Sequence, residues 1–271
     1  MDLSFRILLF IAPHFIVMGP TDYFLDYLRT LLALSMLGYG SYKDIKTREI
    51  HDKVWLIFGG SGLILNLYAL FIGSLSFRQL IISVGFMGLL MLLFGYFRLF
   101  GGADLLAFLA LSLIHPKPPI YLMANWGWIP PLFSFTLVSN TALVGVLTPF
   151  LIFLKNLMSF LTGNDPFEFH QNVPFWKKIA LFFTGLNLDS KQIRGVPFEY
   201  PLETLDGDLR LRTNIWDDEE AEKILKKLRA EKDRIWVSAT LPYILIMSGG
   251  YLLSIVFGDV LLWFFILYLE V

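Results

Sequence analysis

The sequence predicts an all-α polytopic membrane protein with about six transmembrane helices and a small cytoplasmic α+β domain inserted before the last one. Three observations carry that prediction. Of the 271 residues, 56% are hydrophobic and only 17% charged, with a mean hydropathy of +0.62; soluble domains of this size are rarely so apolar. The apolar residues gather into runs of membrane-crossing length. The charges are segregated, with more than half of the Lys and Arg lying after residue 155.

A hydrocarbon core of roughly 30 Å needs about 20 apolar residues in helix. By that measure crossings are expected near 25–42, 54–72, 79–99, 104–123, 134–154 and 238–268. Residues 3–18 form a further apolar stretch, interrupted by Pro13: a signal-like segment, a re-entrant piece or a seventh helix. Arg6 before an apolar run suits a signal peptide, but Gly19-Pro20-Thr21 is a poor cleavage site, and Met18 is an alternative start. The expectation adopted is a retained apolar extension over 1–23.

Orientation follows from Lys and Arg in the short loops. Lys43, Lys46, Arg48 and Lys53 mark the first turn, Arg78 alone the second, and Arg98 the third. Lys117 alone marks the loop after the fourth span. Segments 43–53, 98–104 and 155–236 are therefore expected in the cytoplasm, and the Trp126, Trp128, Pro130, Pro131 loop outside. The domains read as a 24–155 transmembrane catalytic core, a 156–236 cytoplasmic domain and a 237–271 C-terminal membrane segment.

Within the insert, Asp217–Glu220 followed by Lys223, Lys226, Lys227 and Arg229 predicts a helix with acid at its start and base at its end. Alternation through Leu209, Leu211, Thr213 and Ile215 predicts a half-buried strand. Phe175, Trp176, Phe182 and Phe183 form aromatic edges suited to rest on the membrane. The last apolar run exceeds one upright crossing, so a bend is expected at Gly249-Gly250 or Gly258-Asp259.

Two acids stand at the edges of apolar runs, Asp44 and Asp104, the latter inside Gly101-Gly102-Ala103-Asp104. Carboxylates there are costly and are functional sites by default. Two full crossings separate them, which returns both to one face. A pair of carboxyls sharing a site titrates as a unit, supplying one group to activate water and one to donate a proton. Helix dipoles alone assign the base to Asp104, at a helix N-terminus, and the acid to Asp44, at a C-terminus, each effect being about 0.3–1 kcal/mol. Gly101 and Gly102, lacking Cβ, let a substrate backbone approach.

Other functions have less behind them. No cysteine is present, and His14, His51, His115 and His170 have no metal-ligand spacing, so neither a metal nor a cofactor is expected. With a net charge of −1 and no basic stripe, nothing points to nucleic acid. Lys43, Lys46 and Arg48 are most economically topology determinants contacting membrane lipid, with a substrate role for Lys46 and Arg48 as the second reading. Glu49 and Asp52 are read as idle in the headgroup layer, Asp259 as an outer helix end and His115 as a loop residue. A proton- or ion-coupled transporter using the same acids is the alternative function; its usual inverted repeat is absent. A non-catalytic scaffold is a third.

Asp44-Ile45-Lys46-Thr47-Arg48-Glu49-Ile50, with Asp52 and Trp55, resembles the first catalytic segment of archaeal preflagellin peptidases. Gly101-Gly102-Ala103-Asp104 resembles the GxGD motif of the type IV prepilin peptidase group that contains them. Ile235-Trp236-Val237-Ser238 leading to Pro242 is similar to their C-terminal part, so the resemblance runs from about residue 24 to the end. It implies a membrane aspartyl protease that removes the short basic leader from preflagellins and other class III signal peptides at the cytoplasmic face. It also implies that Asp44 and Asp104 are the catalytic pair. Ala103 replaces the second glycine of GxGD, and Leu106 stands where bacterial members carry Lys. Residues before 24 have no counterpart, and the cysteine-bound zinc domain of the bacterial enzymes is missing.

Overall fold

The computed structural model describes residues 19–97, 100–123, 130, 132–163, 165–168, 170, 172–214 and 217–269. The 3–18 stretch, Arg98, Trp126, Trp128, Pro131 and Ile215 lie outside them. The described chain is mostly helical with one small sheet, and it divides into two compact units. The first combines the chain up to Val144 with Tyr243–Val271; the second is Gly145–Pro242.

In the first unit, α1 (Pro20–Thr47) starts with proline in its first turn, where no intrahelical partner for the N–H is needed, and Asp22 caps Gly19 N–H at 3.0 Å. It is followed by α2 (Asp52–Phe71), α3 (Phe77–Tyr96), α4 (Gly102–Ile114) and the short α5 (Ile120–Met123). Next comes α6 (Phe133–Leu161), whose second half belongs to the second unit. After the insert, α9 (Tyr243–Phe257) and α10 (Val260–Leu269) complete the first unit.

Three helices, α2, α3 and α6, are long and apolar enough to cross a membrane by themselves. The other three expected crossings have a different build. Asp22, Asp26, Arg29, Lys43, Asp44 and Lys46 give α1 a polar content that the apolar middle of the segment does not reveal. The 104–123 run is interrupted by Pro116, Pro118 and Pro119, so α4 has 13 residues, or about 20 Å at 1.5 Å per residue. The last run starts only at Tyr243, since 234–239 is a strand, and breaks at Gly258, whose φ of +72° favours glycine. The Gly249-Gly250 pair stays helical.

Those two glycines serve packing instead. A Cβ on Gly250 would lie 2.6 Å from the Thr141 backbone of α6, and one on Gly62 of α2 would lie 2.8 Å from the Ile114 Cα of α4. Small residues let helices approach closely where lipid supplies no hydrophobic driving force. Around these contacts Met36, Leu37, Trp55, Leu111, Ile114, Met247 and Tyr251 form one continuous core.

The second unit contains the end of α6, then α7 (Phe175–Thr184), β1 (Leu186–Asp189), β2 (Glu199–Pro201), α8 (Asp218–Glu231) and β3 (Arg234–Ala239). The sheet order is β1-β3-β2, antiparallel throughout, with Asn187 opposite Trp236 and Tyr200 opposite Ser238. Because side chains alternate along a strand, Ile235 and Val237 pack with Leu225 and Leu228 of α8. Trp236 packs with Leu181 of α7, Phe167 and Leu202 on the other face. Asp217 caps α8 by accepting Glu220 N–H at 3.0 Å, and Arg229 occupies its last turn, as the charge order predicts. The strand expected over 209–215 is not formed among its described residues. Instead the chain turns back on itself through 204–208, so that Leu209 forms an isolated antiparallel bridge with Glu203 and Arg210 N–H donates to the Leu202 carbonyl at 2.7 Å.

Candidate active site

Asp44 lies in the last turn of α1, on the face that carries Gly40 one turn earlier. A Cβ on Gly40 would come within 2.9 Å of Ile244 Cγ2 and 3.2 Å of the Trp55 ring, so α1, α2 and α9 converge beside the acid. Asp44 is buried, at 8% exposure, and both of its oxygens accept hydrogen bonds. Oδ2 accepts the backbone N–H of Ile244 at 2.9 Å, in the first turn of α9, where N–H groups lack intrahelical partners. Oδ1 accepts Arg48 Nη1 at 3.4 Å. Arg48 closes α1 in a left-handed conformation (φ 58°), its N–H bonded to the Asp44 carbonyl at 3.3 Å.

Asp104 sits in the first turn of α4. Its Oδ2 accepts the N–H of Gly101 at 3.1 Å, which satisfies a donor at the helix start. Among the described residues nothing lies within 4 Å of where a Cβ on Gly102 would be, so none of them blocks the approach to Asp104 on that side. The ring of Tyr243, the first residue of α9, lies 4.7 Å from that of Phe100, tilted by 46°, and 6.3 Å from that of Phe108 of α4. It is near enough to Asp104 for the two to interact electrostatically. The Asp104 carboxyl also lies close enough to Asp44 to feel its charge.

The structure thus gathers Asp44, Asp104, Arg48 and Gly101 where α1 ends and α4 and α9 begin. Ala103 packs against the core and Gly102 stands open. Lys46 is exposed and bonded to Tyr42 at 2.9 Å rather than to either acid. Two further residues singled out in the sequence are buried. His115 directly follows α4, outside the helix, with its Nε2 paired with Tyr251 OH at 2.9 Å. Asp259 stands at a helix end, just before α10, bonded to Ser139 and to Leu262 N–H. No group of three or more His, Asp or Glu able to hold a metal occurs among the described residues.

Sequence reasoning missed the first turn of α9 as a partner, since a backbone N–H carries no sequence signature. The pair Asp26 and Arg29, fully buried inside α1 with Asn66 of α2 on Arg29, was also missed. Opposite charges three apart within an apolar run are the signal for it.

The profile of the type IV leader peptidase family matches residues 31–161, which include both aspartates. That of the archaeal peptidase A24 C-terminus, type II, matches residues 177–260. The chain belongs to the type IV leader peptidase family. Among its relatives, a preflagellin peptidase of Methanocaldococcus jannaschii is 27% identical over 241 residues, covering 86% of this chain and 95% of the relative. One from Methanococcus voltae is 25% identical, covering 85% and 96%. This family member is therefore similar to leader peptidases over nearly their whole length. The transporter alternative finds no support among these relatives.

Proposed function

We propose that the protein is a membrane aspartyl endopeptidase that cleaves the short basic leader from preflagellin or prepilin-like proteins at the cytoplasmic membrane face. The observation that carries this is the convergence of the end of α1, bearing Asp44, with the starts of α4, bearing Asp104, and α9, in a chain belonging to a leader peptidase family. Segments 24–155 and 237–271 form the membrane part and 156–236 the cytoplasmic domain.

Amide hydrolysis by such a pair needs one carboxylate to take a proton from water and one carboxylic acid to donate to the carbonyl oxygen. The tetrahedral diol then collapses. The group that took the water proton passes it to the leaving nitrogen, the C–N bond breaks, and the other carboxylate recovers its proton from a diol hydroxyl. Both Asp44 oxygens already accept hydrogen bonds, one from a cationic group, whereas Asp104 accepts through Oδ2 and keeps Oδ1 without a hydrogen-bond partner among the described residues. A hydrogen bond to a charged group is worth about 1.5–3 kcal/mol, more than the roughly 0.3–1 kcal/mol of an exposed helix dipole. The base role is therefore assigned to Asp44 and the acid role to Asp104, reversing the order that the dipoles alone suggest.

The substrate is a membrane-inserted chain with a basic leader beside an apolar helix. Its scissile bond must leave helical geometry to reach the acids, and the open side of Gly102 gives an extended backbone room to dock. Proteoliposomes of this protein with a tagged preflagellin test the proposal: release of a short N-terminal leader, identified by sequencing the product, supports it. An intact substrate in the presence of correctly folded protein overturns it.

A further inference from the structure

Within the second unit, α7 has a largely exposed apolar face, partly covered at its Phe183 end by Phe153 of α6. Phe175 is 78% exposed, Trp176 63%, Ile179 46% and Phe183 38%. Their spacing of one, three and four residues places them along one side of the helix. The opposite side is used internally: Leu181 is fully buried, and Phe182 lies 5.8 Å from Phe167. The helix is fastened to the end of α6. Asn156 Nδ2 donates to the carbonyls of Phe182 at 3.1 Å and Gly185 at 2.7 Å, and Phe153 stacks on Phe183 at 4.7 Å. That end of α6 is itself apolar and exposed, with Met158 at 67% and Leu161 at 73%.

We propose that α7 is an in-plane interfacial helix whose Phe175, Trp176, Ile179 and Phe183 face enters the headgroup layer of the leaflet where α6 ends. The occupant of the face is lipid, for three reasons. The face adjoins the end of a helix apolar enough to cross a membrane, so lipid is already present beside it. Aromatic residues and lysines are what favour the membrane–water boundary. α7 carries Lys177 and Lys178 and no acid, and Lys155 is exposed on α6, so the nearby charges match anionic headgroups. Lys178 lies 5.3 Å from the Phe167 ring, leaving Lys177 and Lys155 to reach outward along their own apolar stems. The helix thereby holds the β-sheet unit against the bilayer, a role independent of the proposed chemistry.

The chain contains no cysteine, so single labels can be placed without removing any native residue. Ile179→Cys, Phe183→Cys and, on the exposed side of α8, Lys226→Cys would be spin-labelled in the full chain reconstituted into phosphatidylglycerol vesicles. Collision with oxygen should exceed collision with an aqueous nickel chelate at 179 and 183, and the order should reverse at 226. Nickel reaching 179 and 183 as freely as 226 would overturn the proposal. Spin–spin broadening at 179 that grows with protein density would also overturn it, by assigning the face to a second copy of the chain. Two label sites one turn apart keep a local distortion from deciding the outcome.

Discussion

The backbone N–H of Ile244 donates to Asp44 Oδ2 at 2.9 Å, joining the end of α1 to the start of α9 across 200 residues. Deleting that hydrogen alone tests its part in the chemistry. Proline is tolerated in the first turn of a helix, so Ile244→Pro should fold while leaving the Asp44 oxygen unpartnered. Compared with Ile244→Ala, which removes the buried side chain but keeps the N–H, the proline variant should lose about a further tenfold in kcat, a value of one hydrogen bond to a charged group. Equal rates for the two variants would show the bond to be structural.

Arg48 supplies the cation on the other Asp44 oxygen, at the long distance of 3.4 Å. Arg48→Met should lower kcat by about tenfold, the low end of what a charged hydrogen bond contributes, and Arg48→Lys should recover part of it. Steady-state cleavage rates check this. A rise in KM with kcat unchanged would instead place Arg48 on the substrate leader.

Helix packing makes a sharper contrast between neighbouring glycines. Gly62→Ala puts a Cβ 2.8 Å from the Ile114 Cα, whereas Gly60→Ala meets nothing within 4 Å. Overpacking costs typically 1–3 kcal/mol, so Gly62→Ala should lower the melting temperature in detergent or nanodiscs, and Gly60→Ala should leave it unchanged or raise it. A melting temperature at wild-type level for Gly62→Ala would mean that α2 and α4 are less closely packed than the structure shows.

In the second unit Glu203 is buried between His170 and Lys232, bonded to both. Burial pushes its carboxyl upward, but the hydrogen bonds and charges of His170 and Lys232 outweigh it and hold the group below the ordinary glutamate range. A depressed value means that the folded form binds the proton less readily than the unfolded chain. The stabilisation is therefore complete above the ordinary value of about 4.3, and is lost as pH falls through the lower folded value. Thermal melts of this unit across that acid limb should show the loss. Glu203→Gln should melt lower at neutral pH and show a flatter acid limb, and an unchanged slope would contradict the assignment.

Much of this organisation was legible in the sequence, and the exceptions share a cause. Runs such as 54–72 and 134–154 declare themselves because hydropathy is a local property, and α8 because its charges follow the dipole. The bend at Gly258 was one of two sequence candidates; only packing distinguishes it from Gly250, which approaches Thr141 instead. The 209–215 alternation misled because alternation does not supply a partner: after the turn at 204–208 the pairing amounts to an isolated bridge of Leu209 with Glu203. Pro116 rightly places His115 after the end of α4, but its burial against Tyr251 carries no local signal. At the candidate site, motif and position single out the two acids, but the donor on Asp44 lies 200 residues later, in the first turn of α9.

The most direct test compares Asp44→Asn and Asp104→Asn with Glu49→Gln and Asp52→Asn in the same proteoliposome cleavage assay, after each variant is shown to melt cooperatively. Loss of a general acid or base typically costs about 10²–10⁴-fold, so the first two should fall at least that far while the second two stay near wild type. Full cleavage by either Asp44→Asn or Asp104→Asn would contradict a shared carboxyl pair.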